Sequence, residues 1–150
     1  MAIQPFPHSY AVALSEAHEL TAGRRSPIAT GTAPQFGGSD EVWSPEELLV
    51  GALITCVRAT FDAYASKAGL VGYSWSGSAN GTLAKGRSGP EFSSIRLHIE
   101  LEVGAGEEER GTNILARAER DCIISRTIKA PVEMTMNIVT RPLAAPAPSG

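Results

Sequence analysis

The chain has 150 residues, of which 43% are hydrophobic, which is enough for one domain with a sizeable core. Its formal net charge of −3, with no basic run longer than Arg24-Arg25, excludes a typical nucleic-acid-binding protein. No uninterrupted apolar run approaches the roughly 18 residues of a membrane span, and the three histidines lack metal-ligand spacing, so we expect neither a membrane protein nor a metal site.

Short strands and loops are predicted before the first helix. Residues 1–8 are predicted to form an arm, and they lack the charged and apolar regions of a secretory signal. We therefore expect a cytoplasmic protein, in which cysteines are normally kept reduced. Weak strand patterns occupy residues 9–15 and 28–33, and the glycine-containing segment 34–42 is predicted to be a loop.

A strong helix signal follows this loop. Ser44 is a good N-cap, Pro45 suits the first helical position, and Glu47 completes a capping box. The helix is predicted to run to about Ala68 and to stop at Gly69, because glycine readily adopts the left-handed conformation that ends helices.

Apolar residues repeat along this helix at spacings of three, four and seven, which predicts one buried stripe with Cys56 at its centre. At ~1.5 Å per residue the helix is about 36 Å long, so we expect it to cross a core. The stripe consists of Leu49, Ala52, Leu53, Cys56, Ala59, Thr60 and Ala63.

A hairpin is predicted after the helix. Its strands cover residues 72–83 and 91–103, and a Gly-, Ser- and Pro-rich turn joins them at 85–90. The second strand alternates apolar and polar residues, which predicts one buried face. That face consists of Ile95, Leu97, Ile99, Leu101 and Val103.

The last third predicts a second helix over 107–125 that carries Cys122 on its apolar side. A short helical continuation at 126–130 and a strand at 132–140 follow. The Ala- and Pro-rich residues 141–150 predict a disordered tail. The element order β-β-α-β-β-α-β, with too few helices for a doubly wound sheet, predicts an α+β fold in which antiparallel strands pack on two main helices.

Cys56 and Cys122 are the only cysteines, and 66 residues separate them. Either one alone is most simply a small buried hydrophobe. Together, and each on the apolar side of its own predicted helix, they also fit a redox pair, provided that their Cα atoms approach within about 7 Å.

Glu46 precedes Cys56 by ten residues, about 15 Å along a straight helix, so the two side chains cannot touch directly. An arginine held by this carboxylate could bridge the gap and favour a thiolate. The candidates are Arg24 and Arg25 in a turn-like segment, and Arg126 one turn after the second cysteine.

The segments SPEELLVGALITC and CIISRTI resemble the OsmC/Ohr family of thiol peroxidases, and the loop APQFGG also looks family-like. The resemblance covers about residues 9–140 and implies an intertwined homodimer. It implies that Cys56 is the peroxidatic thiol, that Cys122 resolves it, and that Glu46 positions an arginine. The segment AGRR matches the family's arginine turn only loosely. Arg24 is the first candidate for the arginine that Glu46 positions, and Arg25 is the second.

The resemblance implies reduction of an organic hydroperoxide through a Cys56 sulfenic acid and a disulfide, with a dithiol or lipoylated reductant and no cofactor. Leu49, Leu53 and Phe61 are the candidate substrate pocket, because apolar side chains suit an organic peroxide. The alternatives are a non-catalytic protein that binds an apolar ligand and a redox sensor.

Overall fold

Three short antiparallel strands precede the first helix. They are β1 (Ala13–Leu14), β2 (Glu19–Thr21) and β3 (Ile28–Ala29), adjacent in that order. The strand β2 was not predicted, because its three residues are too few for an alternating pattern to appear and no longer strand-like segment contains them. The structure is a computed structural model that describes residues 5–142, so most of the predicted tail and half of the predicted arm lie outside it.

The chain divides into two compact units between Leu48 and Leu49. Among the described residues of the first unit, only Ala33 and Ser44 are buried. A single turn of 3-10 helix (Pro34–Phe36) lies within the predicted loop. The unit therefore has almost no core of its own. Most of its larger apolar side chains are exposed: Phe6, Tyr10, Val12, Leu14, Ile28, Phe36 and Trp43.

The first long helix, α1 (Pro45–Lys67), has the predicted ends. The Ser44 amide donates to a Glu47 carboxylate oxygen at 2.9 Å, and the Glu47 amide donates to Ser44 Oγ at 3.2 Å, which is a capping box. At the other end Gly69 has φ +69° and the Leu70 amide donates to the Ala65 carbonyl, so the helix stops where glycine permits the left-handed turn.

The buried stripe of α1 differs from the predicted one. Leu53, Val57, Phe61 and Ala65 are buried, whereas Cys56 is only half-buried and lies beside this row. Ala59 and Ala63, assigned to the stripe from sequence, are exposed. The prediction was wrong because α1 is apolar on more than one side, so spacing alone could not select the side that packs.

By length and composition alone, α1 would also be long and apolar enough to cross a membrane. This is weak evidence, because the core helix of a protein outside the membrane passes the same test. The four buried side chains of α1 belong to the hydrophobic core. The absence of a membrane span stays a prediction.

The main sheet has three strands in the order β4 (Ser74–Lys85), β5 (Pro90–Val103) and β6 (Val132–Thr140). As predicted, β4 and β5 form an antiparallel hairpin. The last strand, β6, pairs with β5 in parallel, so the sheet is mixed rather than fully antiparallel.

One face of the sheet carries the core. The predicted inner residues of β5 are all fully buried or nearly so, and their polar neighbours point to the other face. Glycine lets β4 approach α1 closely, because a Cβ on Gly81 would lie 2.9 Å from Val50 and 2.6 Å from Phe92. The buried residues of β5 are Ile95, Leu97, Ile99, Leu101 and Val103.

The second predicted helix is broken in two. It forms α2 (Glu108–Asp121) and α3 (Ile123–Thr127), and the residue between them is Cys122, with extended φ −60° and ψ 123°. The prediction of one helix over 107–125 was wrong, because that segment contains no glycine or proline near Cys122 to indicate a break. The fold class is α+β with two main helices, as predicted.

Candidate active site at two cysteines

The fold brings the two cysteine side chains close together. Cys56 lies on α1 and is half-buried, and Cys122 lies between α2 and α3 and is fully buried. The two thiols are close enough for Cys56 to influence the pKa of Cys122, and both are free. A half-exposed thiol beside a buried one can react with a molecule from solvent and then be captured by its neighbour.

Cys122 is held by hydrogen bonds at the start of α3. Its Sγ accepts a hydrogen bond from the Ser125 amide at 3.4 Å. Burial raises the pKa of the Cys122 thiol to about 11, and the neighbouring Cys56 thiol acts in the same direction. At neutral pH Cys122 is therefore a protonated thiol, which is a poor nucleophile towards a peroxide.

We expect the two cysteines to differ strongly in alkylation by iodoacetamide at pH 8. Cys56 should be modified first, because Cys122 is fully buried and, with a pKa of about 11, exists as thiolate in only about 0.1% of molecules. The initial rate at Cys122 should rise about tenfold per pH unit between pH 8 and 10, since the thiolate is the reacting form. Peptide mass spectrometry measures both rates, and the urea-unfolded chain is the control, in which both cysteines react alike. Equal rates in the folded protein at pH 8 would contradict this assignment.

A second contact joins α1 to the end of α2 beside the thiols. The Tyr64 hydroxyl donates to Asp121 Oδ2 at 2.7 Å, and Asp121 directly precedes Cys122. Arg117 pairs with the same carboxylate at 3.2 Å and lies over the Tyr64 ring at 4.4 Å. The Tyr64 hydrogen bond, followed by the bond from Arg117, lowers the pKa of Asp121, so the carboxylate is charged at neutral pH.

Arg126, an alternate candidate from sequence, lies in this cluster. Its guanidinium pairs with Asp121 at 3.4 Å, and Arg120 approaches the same carboxylate at 3.8 Å. The charge of Arg126 is therefore directed towards Asp121, the residue before the second cysteine. Sequence reasoning missed the cluster because Tyr64 and Asp121 are 57 residues apart, although the four-residue spacing of Arg117 and Asp121 was visible as a helical ion pair.

Glu46, Arg24 and Arg25 belong to the unit that ends at Leu48. Arg25 donates to the Ala22 carbonyl at 3.2 Å within its own turn, and Arg24 is exposed. Glu46 Oε2 is buried and, among the described residues, has no hydrogen-bond partner. A buried carboxylate oxygen without a donor is costly, so this position is chemically suited to receive a cation.

The three candidate pocket residues differ in exposure. Leu53 and Phe61 are fully buried in the core cluster, and Leu49 is exposed at the start of α1. The assignment of a substrate pocket to these residues stays a prediction. Within residues 5–142, no group of three or more His, Cys, Asp and Glu side chains is arranged to hold a metal ion.

Comparison with known proteins gives consistent results. A sequence model of OsmC-like proteins matches residues 38–137 of the chain. A search of curated proteins gives no match. Among solved structures, an OsmC-like protein of unknown function from Vibrio cholerae is 19% identical with a TM-score of 0.76, and the match covers 89% of this chain and 100% of that one.

Two further structures are described as organic hydroperoxide resistance proteins. The one from Legionella pneumophila is 14% identical with a TM-score of 0.65, covering 91% of this chain and 99% of that one. The one from Elizabethkingia anophelis is 12% identical with a TM-score of 0.70, covering 92% and 100%. At these identities the likeness concerns the fold.

Proposed function

The chain belongs to the OsmC family, and we propose that it is a cysteine-based peroxidase that reduces organic hydroperoxides to alcohols. The observation that carries the proposal is the proximity of a half-buried thiol, Cys56, to a fully buried one, Cys122. This arrangement fits a redox pair better than two unrelated core residues, because a core cysteine needs no thiol partner.

In the first proposed step, the Cys56 thiolate attacks the peroxide bond of the substrate. The O–O bond breaks, the distal oxygen forms a bond to sulfur, and the alkoxide takes a proton and leaves as an alcohol. Cys56 becomes a sulfenic acid, so sulfur is oxidised by two electrons and the peroxide is reduced by two. The half-buried position of Cys56 supports its role as the attacking thiol, since Cys122 is closed to solvent.

In the second proposed step, Cys122 attacks the sulfenic sulfur of Cys56. An S–S bond forms, the S–O bond breaks, and the hydroxyl leaves with the Cys122 proton as water. An external dithiol, free or as a lipoyl group on a protein, then reduces the disulfide by thiol exchange and is itself oxidised. No metal or organic cofactor takes part in these steps.

An arginine is proposed to support the first step. Glu46 has a buried carboxylate oxygen with no described partner, and a guanidinium would satisfy it by a charge-assisted hydrogen bond. Arg24 is the first choice and Arg25 the second, because Arg25 already donates to its own turn. The arginine would favour the thiolate of Cys56 through its positive charge.

The protein is further proposed to act as a homodimer in the cytoplasm. The exposed apolar side chains of the first unit support a partner surface, because an isolated chain would leave them in water. Organic rather than inorganic peroxides are the proposed substrates, since Leu49 and its apolar neighbours suit an alkyl or aromatic group.

Thiol counting after exposure to cumene hydroperoxide tests the peroxidase proposal. We expect the two free thiols of the wild-type protein to fall to none with one equivalent of peroxide, with a mass loss of about 2 Da for one disulfide. Stopped-flow mixing should give faster oxidation by cumene hydroperoxide than by hydrogen peroxide. A protein that retains both thiols in excess peroxide would overturn the proposal and favour the non-catalytic alternative.

A further inference from the structure

Cys56, Thr60 and Tyr64 follow one row of α1 at a spacing of four residues, and all three are half-buried. Tyr64 lies about 12 Å beyond Cys56 along the helix axis. Side chains on a helix tilt towards its N-terminus, so the long tyrosine side chain extends back towards the level of Cys56. Thr60, between them, donates to the Cys56 carbonyl at 2.8 Å and does not reach another helix through its hydroxyl.

The tyrosine hydroxyl meets the end of α2 immediately before the second thiol. Asp121 accepts its hydrogen bond at 2.7 Å, and Arg117 contributes an ion pair to the carboxylate and a cation–π contact to the ring. A short hydrogen bond to a charged carboxylate is stronger than one between neutral groups. Tyr64 therefore fixes the position of the residue next to Cys122 against the helix that carries Cys56.

This contact matters because the backbone leaves the helix at Cys122. The Cys122 amide bonds to the Glu119 carbonyl at 3.3 Å, and the residue itself has an extended conformation. Among the described residues, the bond at Asp121 is thus the last side-chain hydrogen bond from α2 to α1 before the chain turns into α3. Without it, the Cys122 sulfur would occupy a wider range of distances from Cys56.

We propose that Tyr64 is a positioning residue for the resolving step, acting through Asp121 to hold Cys122 within reach of the oxidised Cys56. The inference rests on the peroxidase function proposed above. The Cys56 sulfenic acid has two fates: attack by Cys122 releases water and gives the disulfide, whereas a second hydroperoxide gives the sulfinic acid and an alcohol. Tyr64 favours the first fate by raising the fraction of time that Cys122 spends in attacking geometry.

The variant Tyr64→Phe removes the hydroxyl and keeps the ring that faces Arg117. With excess cumene hydroperoxide, we expect the ratio of disulfide to sulfinic acid in this variant to fall about tenfold from the wild-type ratio. A factor of this size is typical for the loss of a hydrogen bond to a charged group. Intact-mass spectrometry separates the products, which differ from the reduced chain by a loss of about 2 Da and a gain of about 32 Da. The rate of the first oxidation, followed by stopped flow, should stay within about twofold of wild type, since Cys56 itself is unchanged.

The chain offers a closely matched control. The Tyr73 hydroxyl also donates to an aspartate on α1, Asp62, at the same 2.7 Å, and Arg58 lies over its ring at 5.9 Å. Tyr73→Phe loses an equivalent hydrogen bond whose acceptor is on α1 rather than next to Cys122 in the chain, so its product ratio should equal that of wild type. A similar fall in both tyrosine variants would mean that general loosening of the fold is responsible, and would overturn the proposal.

Substitution of the acceptor provides the rescue test. Asp121→Ala also removes the arginine ion pairs, so its ratio should fall at least as far as that of Tyr64→Phe. Adding Tyr64→Phe to it should cause no further fall, because the Tyr64 hydroxyl has already lost its acceptor. Asp121→Asn keeps an oxygen that can accept from Tyr64 but loses the charge, so its ratio should lie between those of Asp121→Ala and the wild type. If Tyr64→Phe gives the wild-type ratio of disulfide to sulfinic acid, only the positioning role of Tyr64 is contradicted. If the wild-type protein forms neither the disulfide nor the sulfinic acid, the peroxidase proposal itself is contradicted.

Discussion

Replacement of Cys56 by serine is expected to abolish peroxide consumption, with a fall of at least about a thousandfold in the rate with cumene hydroperoxide. A serine hydroxyl is not ionised at neutral pH and does not attack the peroxide bond. Cys122 cannot substitute for it, because burial keeps that sulfur from solvent and its raised pKa of about 11 keeps it protonated. Colorimetric loss of peroxide with a dithiol as reductant measures the effect.

The adjacent substitution Thr55→Ser is the control for this result. Thr55 Oγ1 donates to the Gly51 and Ala52 carbonyls, and serine can keep those bonds, so α1 stays intact. Its peroxide consumption should match wild type. A Cys56→Ser protein that still consumes hydroperoxide at more than a few per cent of the wild-type rate would remove Cys56 from the attacking role.

Replacement of Cys122 by serine is expected to separate the two chemical steps. The first equivalent of peroxide should disappear at close to the wild-type rate, because Cys56 remains, but no disulfide can form. The Cys56 sulfenic acid should then accumulate and pass to the sulfinic acid in excess peroxide, with a gain of about 32 Da in place of the loss of about 2 Da. Turnover with a dithiol should fall at least about tenfold, since each oxidised molecule lacks its internal reductant.

Stability must be followed in the same variant, because Cys122 is a core residue. A serine at this position buries a hydroxyl, which costs about 1–3 kcal/mol of stability where the hydroxyl is unpaired. Serine is also a good N-cap, and its hydroxyl can accept the hydrogen bond that the Ser125 amide now donates to sulfur. The net loss of folding stability should therefore be smaller than for Cys122→Ala, which has no side chain to cap α3 or to accept the Ser125 hydrogen bond. Thermal unfolding compares the two, and a disulfide-sized mass loss in Cys122→Ser would refute the assigned resolving role.

The sequence was most informative where the signals were local. The capping box of Ser44 and Glu47 and the stop at Gly69 define α1 within a few residues, so both of its ends were predictable. Alternation in β5 likewise predicted its buried face. The sequence could not predict that β6 runs parallel to β5, because the alternation of apolar and polar residues is the same in either strand direction.

Non-local effects account for what the sequence did not reveal. The helix break at Cys122 has no glycine or proline near it, and it is stabilised instead by burial of the sulfur and by the Ser125 amide. The contact between Tyr64 and Asp121 joins residues on different helices, so no spacing in the sequence encodes it. The two cysteines were recognisable as candidates, but their proximity depends on how α1 and α2 pack.

The hydrogen bond from Ser125 to the Cys122 sulfur also gives the protein a built-in spectroscopic reporter. Its strength depends on the electron density of that sulfur, which differs among the thiol, the thiolate and the disulfide. The chemical shift of the Ser125 amide proton should therefore follow the oxidation state of the pair. A single backbone resonance on α3 would then measure the redox potential of the protein without any label on either cysteine.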